Sequence, residues 1–217
     1  MTPRPPNPSS FGEPAEGPPV DADVDADWAL MRRIQSGDRR AFESLYSRFG
    51  SPIMRFLYRL CGDRVLAEDL TQDVFLKVWR AAAGWRPLGR VSTWLFQIAK
   101  HHWWNEAAKR RRRAGISASL SVGLGDAAPA GEGRPGERRS TDGPGDRLAR
   151  AEAAAAVSAA LTGISPRLRL VFVLVRLEGL SYAEAAEIAG IPVGTVKSRA
   201  AAAEAALRKR LRGRFGP

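Results

Sequence analysis

The stretch whose reading decides the fold is LSYAEAAEIAGIPVGTVKSR, residues 180–199. Ser181 and Glu184 stand at capping-box spacing: the serine side chain accepts the backbone N–H of Glu184, and the glutamate reaches back to the N–H of Ser181. A helix therefore starts at Tyr182. It runs through Ala185, Ala186, Ile188 and Ala189 to Gly190, a residue that tolerates the left-handed conformation ending many helices. Pro192 suits the first turn of a following helix, because the N–H it lacks would be unpaired there anyway. Two short helices joined by a tight glycine turn make a helix-turn-helix. Ala186 is small enough for the second helix to cross close over the first, and Val196 fills the angle between them. Thr195, Lys197, Ser198 and Arg199 then meet a DNA major groove. A surface helical hairpin is the alternative; the small residue, glycine and valine at this spacing, with the capping box, favour DNA binding.

The remainder of the chain agrees. It has 217 residues and a net charge of +11, with arginine dominating the basic residues. That balance favours a polyanionic partner, nucleic acid first and an anionic membrane surface second. The single cysteine, Cys61, precludes an intramolecular disulfide and fits a reducing cytoplasm. No apolar run approaches the ~18 residues of a membrane span, and the N-terminus has no signal-peptide core. A cytoplasmic protein without membrane insertion is expected.

Residues 1–27 are rich in Pro, Gly and Asp and are expected to be a disordered N-terminal extension. From Trp28 the helical period appears. Trp28, Met31 and Ile34 form one stripe, ended near Gly37. Asp38 caps a second helix carrying Ala41, Phe42, Leu45, Tyr46 and Phe49. Ser51-Pro52 opens a third with Ile53, Phe56, Leu57 and Leu60, ended at Gly62. Asp63 caps a longer helix from about Val65 to Ala83. Gly84 to Gly89 form a loop, and a last helix runs from about Val91 to Arg113. No strand-like alternation competes, so the fold class is all-α: a helical domain over 28–113, a flexible linker over 114–146, and a helix-turn-helix domain with a basic tail over 147–217. In the second domain, Arg147 to Leu161 reads as helix, and Ser165-Pro166 starts another.

The helix AEDLTQDVFLKVWR, residues 67–80, has two faces. Leu70, Val74 and Val78, with Phe75, are core positions. Asp69, Gln72, Asp73 and Leu76 recur on the other side, either a solvated face or a docking surface for a basic partner. Aromatic residues follow at high density: Trp79, Trp85, Trp94, Phe96, Trp103 and Trp104. Core packing and base stacking both remain open for each. Trp85 beside Arg86, and Trp103 and Trp104 before the basic run from Lys109 to Arg113, have the make-up that holds an unstacked base: a ring for the stack, a guanidinium for the phosphate.

Constellations for enzyme chemistry are missing from the sequence. His101 and His102 are neighbours, pointing about 100° apart on a helix, and do not chelate one ion. Cys61 has no metal motif around it, and no phosphate-binding glycine loop or GxSxG occurs. No catalytic residue, metal or cofactor is expected.

AFESLYSRFG, AEDLTQDVFLKVWR, STWLFQIAK and LEGLSYAEAAEIAGIPVGTVKSR, in that order, resemble a bacterial sigma-70 family RNA polymerase sigma factor of the extracytoplasmic-function (ECF) group. The resemblance implies a protein that binds core RNA polymerase through the β′ clamp and the β subunit, directs it to promoters and helps melt them. Asp69, Gln72 and Asp73 match positions that dock on the β′ clamp coiled coil. The loop from Gly84 to Arg90, including Trp85 and Arg86, matches one that captures a base flipped from the −10 element. Trp94 and the helix after it, with His101, Asn105, Lys109 and Arg110, match the −10 surface. Gly194, Thr195, Lys197, Ser198 and Arg199 match the helix that enters the −35 major groove. The linker matches the segment that threads towards the polymerase cleft. An anti-sigma factor is a further partner of such proteins. The chain departs from the family where Ala99, Lys100 and His101 stand for the usual ARN, where Asn105 stands for the usual Asp, and where Ala201, Ala202 and Glu204 replace side chains that offer potential DNA contacts. A free-standing helix-turn-helix regulator that binds operator duplex as a dimer and an enzyme acting on nucleic acid are the competing classes; a module that binds an inhibitor protein is compatible with the main reading. The first gives no reason for the acidic strip, and the second lacks an acid–base or metal cluster.

Overall fold

The structure is a computed structural model that describes residues 22–113 and 155–215. The proline-rich segment before residue 22, the linker over 114–146 and the first residues of the helix expected from Arg147 lie outside the described residues. The first domain comprises α1 (Ala22–Gln35), α2 (Arg39–Cys61), α3 (Arg64–Ala81), a 3₁₀ turn (Ala82–Gly84) and α4 (Val91–Arg113). The second comprises α5 (residues 155–162), α6 (Pro166–Phe172), a π turn (Val173–Leu177), α7 (Tyr182–Ala189) and α8 (Val193–Phe215).

Start signals act where the sequence places them. Asp38 accepts the N–H groups of Arg40 and Ala41 at the head of α2, and Asp63 accepts that of Leu66 at the head of α3. Gly62 closes α2 at φ 72°, and its N–H bonds the Tyr58 carbonyl. Leu45, Ile53, Phe56, Leu57 and Leu60 of α2 interlock with Leu70, Val74 and Val78 of α3 and with Val91, Leu95 and Ala99 of α4.

Two boundaries differ from the sequence reading. The second and third expected helices are one helix, α2, with Pro52 inside it. A proline removes a ladder hydrogen bond and costs about 3 kcal/mol in a helix interior, but the apolar face runs from Ala41 to Leu60 without a phase change, and its burial holds the helix together. α1 also starts at Ala22, inside the stretch expected to be disordered. Asp27 is buried there and pairs with Arg48 at 3.2 Å, so the acidic end of the extension is part of the first domain.

The domains also touch. Leu170, Val171, Val173 and Leu174 of the second belong to the same apolar cluster as Leu57 and Leu60 of the first. A smaller cluster of Leu161, Ile164, Ala203 and Leu207 joins α5 to α8. At the seam, Arg59 donates to the Leu177 carbonyl at 3.1 Å and to Glu178 at 2.6 Å. A Cβ on Gly62 would stand 2.5 Å from the Thr162 methyl, so both the left-handed backbone and the approach of α5 require glycine at this position.

Candidate nucleic-acid interface

The helix-turn-helix forms as the residues dictate. Ser181 accepts the Glu184 N–H at 3.2 Å, and Glu184 accepts the Ser181 N–H at 2.9 Å. Gly190 takes the left-handed turn at φ 70°. Val196 of α8 is fully buried, in one apolar cluster with Ala186 and Ile188 of α7. This leaves Gly194, Lys197 and Ser198 exposed at the start of α8, with Thr195 and Arg199 half-buried beside them. Lys197 lies over the Tyr182 ring at 5.8 Å, which steadies a long cationic side chain on this face.

α4 carries a second exposed stripe. Trp94, His101, Asn105 and Lys109 recur at helical spacing on one side; Trp94 is half-buried against the core and the other three are exposed. Arg110 does not join them. It turns to Asp63 and Glu106, each at 3.6 Å. Trp103 is buried and meets Trp104 edge-on at 5.5 Å, so Trp103 is core and unavailable to stack on a base. The His101 pKa is lowered, first by partial burial and then by Lys100, Lys77 and His102. The ring is therefore neutral near pH 7.

The loop between the 3₁₀ turn and α4 lies at the surface. Arg86, Pro87, Leu88, Gly89 and Arg90 are exposed, Leu88 to 90%, while the Trp85 ring packs partly against the core. The acidic strip lies on α3. Asp69, Gln72 and Asp73 are all exposed, with Leu76 and the edge of Trp79 continuing the face. Phe42 meets Trp79 at 5.2 Å and Tyr46 meets Phe75 at 4.8 Å, so an aromatic shelf of α2 backs the strip.

α7 rests on the N-terminal half of α4. Gln97 donates to Glu187 at 3.3 Å, and Arg90 pairs with Glu184 at 3.5 Å. The capping-box glutamate thus also serves the seam. Burial alone would raise its pKa, but the bonds from Ser181 and the charge of Arg90 outweigh that and hold it below the ordinary carboxylate range. Sequence reasoning missed Arg90, Gln97 and Glu187 as partners, because the residues that meet are about 90 positions apart in the chain and no local pattern links them. Among the described residues, no cluster of three or more His, Cys, Asp or Glu is arranged to hold a metal, and no helix is long and apolar enough to cross a membrane.

Comparison with known proteins matches both halves. Residues 45–113 match Sigma-70 region 2, and residues 154–207 match Sigma-70, region 4. The RNA polymerase sigma-H factor of Pseudomonas aeruginosa is 33% identical over 85% of this chain and 93% of its own. The ECF RNA polymerase sigma-E factor of Haemophilus influenzae is 32% identical over 80% and 88%. Among solved structures, the sigma factor RpoE of Bartonella quintana, in complex with the anti-sigma factor NepR, aligns with a TM-score of 0.60 at 26% identity, covering 79% of this chain and 96% of that one. A region 2 domain and a region 4 domain, in that order and over nearly the full length of such relatives, make the chain a member of the sigma-70 family of RNA polymerase sigma factors, in its extracytoplasmic-function group.

Proposed function

We infer that this sigma factor divides its work among three surfaces: the α3 strip docks core polymerase, the loop and α4 stripe hold the melted −10 strand, and the N-terminus of α8 reads the −35 duplex. The observation that carries this reading is the segregation of chemistry by helix. Acidic Asp69 and Asp73 share an exposed α3 face with apolar Leu76, whereas His101, Asn105 and Lys109 share an exposed face of α4. A polyanion is repelled by the first face, whereas the second offers it polar groups and the cation of Lys109.

The assignments follow from what each step requires. Duplex is read by side chains entering the major groove, supplied by Thr195, Lys197, Ser198 and Arg199 around the exposed Gly194. Melted strand needs stacking surfaces and phosphate partners, supplied by Trp85, Arg86 and Trp94 with Lys109. Lys109 pairs with Glu106 alone, at 3.6 Å, whereas Arg110, held by both Asp63 and Glu106, is the weaker candidate of the two. Capturing unstacked bases offsets lost stacking of about 1–2 kcal/mol per step. Polymerase performs the chemistry, and the sigma factor contributes binding energy. The protein works in the cytoplasm, where core polymerase is found. An anti-sigma factor is a further partner class, favoured by the likeness to RpoE solved with NepR.

The test separates the two DNA surfaces. Trp85→Ala with Arg86→Ala should leave closed-complex binding intact and impair opening. Lys197→Ala with Arg199→Ala should weaken initial binding and flatten its salt dependence, by close to one unit of slope per lost phosphate contact. A premelted −10 bubble should rescue the loop variant far more than the helix variant. Equal rescue of both, or of neither, would overturn the division.

A further inference from the structure

The loop from Trp85 to Arg90 has little of its own to hold it. Inside it, the Leu88 N–H bonds the Arg86 carbonyl at 2.8 Å. At its base, Trp85 donates back to Ala82 at 3.0 Å. Its residues from Arg86 onward are exposed, and a glycine sits near its end. Such a segment samples many conformations unless something outside fixes it.

α1 grips it near both ends. Gln35 Nε2 donates to the Trp85 carbonyl at 2.8 Å, and Trp28 Nε1 donates to the Gly89 carbonyl at 3.1 Å. The two donors stand about two turns apart on α1, on one face of the helix. Both bonds reach backbone carbonyls, so the grip itself occupies none of the loop's side chains. Their roles differ in packing. The Trp28 ring also lies against the core, whereas Gln35 is exposed. An exposed amide gains little stability from one bond to a surface carbonyl, so its value lies in where it puts the loop.

We propose that Trp28 and Gln35 are positioning residues that hold the Trp85–Arg90 loop in the conformation that captures an unstacked −10 base. This rests on the reading of the loop given above. A loop already fixed in its bound shape loses less conformational freedom on capture, so the hydrogen bonds from α1 appear as affinity for the base.

The test uses holoenzyme assembled with core polymerase and forked templates whose upstream duplex is constant. An abasic site is walked through the single-stranded −10 segment to find the base the loop holds. Gln35→Glu keeps the shape of the side chain and removes its N–H donor. It should weaken binding to the intact fork by about threefold to tenfold, the effect of one hydrogen bond, and leave binding to the abasic fork unchanged. Gln35→Lys retains a donor and should stay within about twofold of the parent on both. Trp28→Phe should repeat the Gln35→Glu pattern. Thermal midpoints of both Gln35 variants should equal that of the parent. Undiminished affinity of Gln35→Glu for the intact fork, or an equal loss on both forks, would overturn the proposal. Trp85→Ala separates the two failures. If it leaves discrimination against the abasic fork untouched, the loop is not a base pocket and the underlying reading fails. If it abolishes discrimination while Gln35→Glu does not, only the positioning role fails.

Discussion

Arg169 of α6 donates to the carbonyl of Leu60, in the last turn of α2, and from the same guanidinium to the carbonyls of Thr162 and Ile164 at the end of α5. The residue is only 3% exposed, and burial lowers its pKa to about 10, still charged at neutral pH. Its charge is met by two helix C-termini in different domains, where terminal carbonyls and the helix dipoles favour a cation. One side chain thus caps a helix of the second domain and fastens it to the first.

Arg169→Met should therefore cost about 3 kcal/mol of stability, since hydrogen bonds to charged groups contribute about 1.5–3 kcal/mol each. Arg169→Lys keeps the charge but not the fork that reaches both helix ends, and should recover only part of it. Denaturant unfolding followed by circular dichroism checks both. A Met variant within about 0.5 kcal/mol of the parent, the range of ordinary surface substitutions, would show that the two helix ends do not depend on it.

Cys61 reports whether this seam opens. Burial pushes its thiol up to about 11, and its Sγ donates to the Asp63 carbonyl at 3.1 Å, beside the contact of Gly62 with Thr162. The −35 and −10 elements are centred some 25 base pairs apart, about 85 Å of duplex at ~3.4 Å per pair. If α8 and the loop engage both elements as proposed, α7 does not stay seated on α4. Alkylation of Cys61, followed by mass spectrometry of its peptide, should be faster in the polymerase–promoter complex than in the free protein, because opening of the seam would uncover a group that is half-buried in the closed form. An unchanged rate would mean that the seam stays closed on DNA.

The two halves of this structure were unequally legible in the sequence. The helix-turn-helix was readable to the residue, because Ser181, Glu184, Gly190 and Val196 act through contacts within a few turns of chain. The faces of α3 were readable for the same reason: a 3.6-residue period separates Leu70, Val74 and Val78 from Asp69, Gln72 and Asp73. Pro52 misled, since a local breaker was overridden by an apolar face continuous across it. Trp103 was ambiguous by composition, and only the packing of α4 assigns it to the core. Arg169, Gln35 and Trp28 were invisible as partners, because each acts on a backbone carbonyl, and a carbonyl leaves no mark on the sequence.

The acidic strip proposed to dock core polymerase yields a test that spares the fold. Asp69 and Asp73 are exposed on α3 and face away from the core formed by Leu70, Val74 and Val78. Asp69→Arg with Asp73→Arg should leave the unfolding midpoint unchanged and weaken binding to core polymerase by about tenfold or more, through reversed electrostatic complementarity. A titrated pull-down of core enzyme measures it. Retained affinity in a folded double variant would remove α3 from the interface.

The capping box has a pH signature. Glu184 is held below its ordinary range, so it binds fewer protons folded than unfolded. Its contribution is present above the unfolded value and is lost as pH falls through the folded one. Ser181→Ala should cost about 0.5–2 kcal/mol near neutral pH. Glu184→Gln should flatten the loss of stability on the acid side of pH 4.5, the ordinary value for this group. Acid unfolding curves of parent and Gln variant that coincide would remove Glu184 from the balance.

His101 gives the opposite sign on the DNA side. In the free protein its pKa is lowered from 6.5, by partial burial first and then by Lys100, Lys77 and His102. A phosphate beside the ring would favour the charged form, so a DNA complex should take up protons and tighten as pH falls from about 7.5 towards 6, the range in which histidine titrates. Asn105 shares the stripe and carries no titratable group. His102 does. Its pKa is lowered by burial and by Lys77 and Lys109 against the opposing charge of Asp73, and its ring is half-buried with Nε2 enclosed. The measurement is affinity of holoenzyme for a forked −10 template across that range at constant salt. His101→Gln should remove most of the pH dependence and His102→Gln little of it, because only the first ring is exposed on the proposed strand-binding stripe. A slope that survives His101→Gln and disappears with His102→Gln would mean that the strand crosses α4 on the side of Lys77, and the stripe from Trp94 to Lys109 would then be the wrong face.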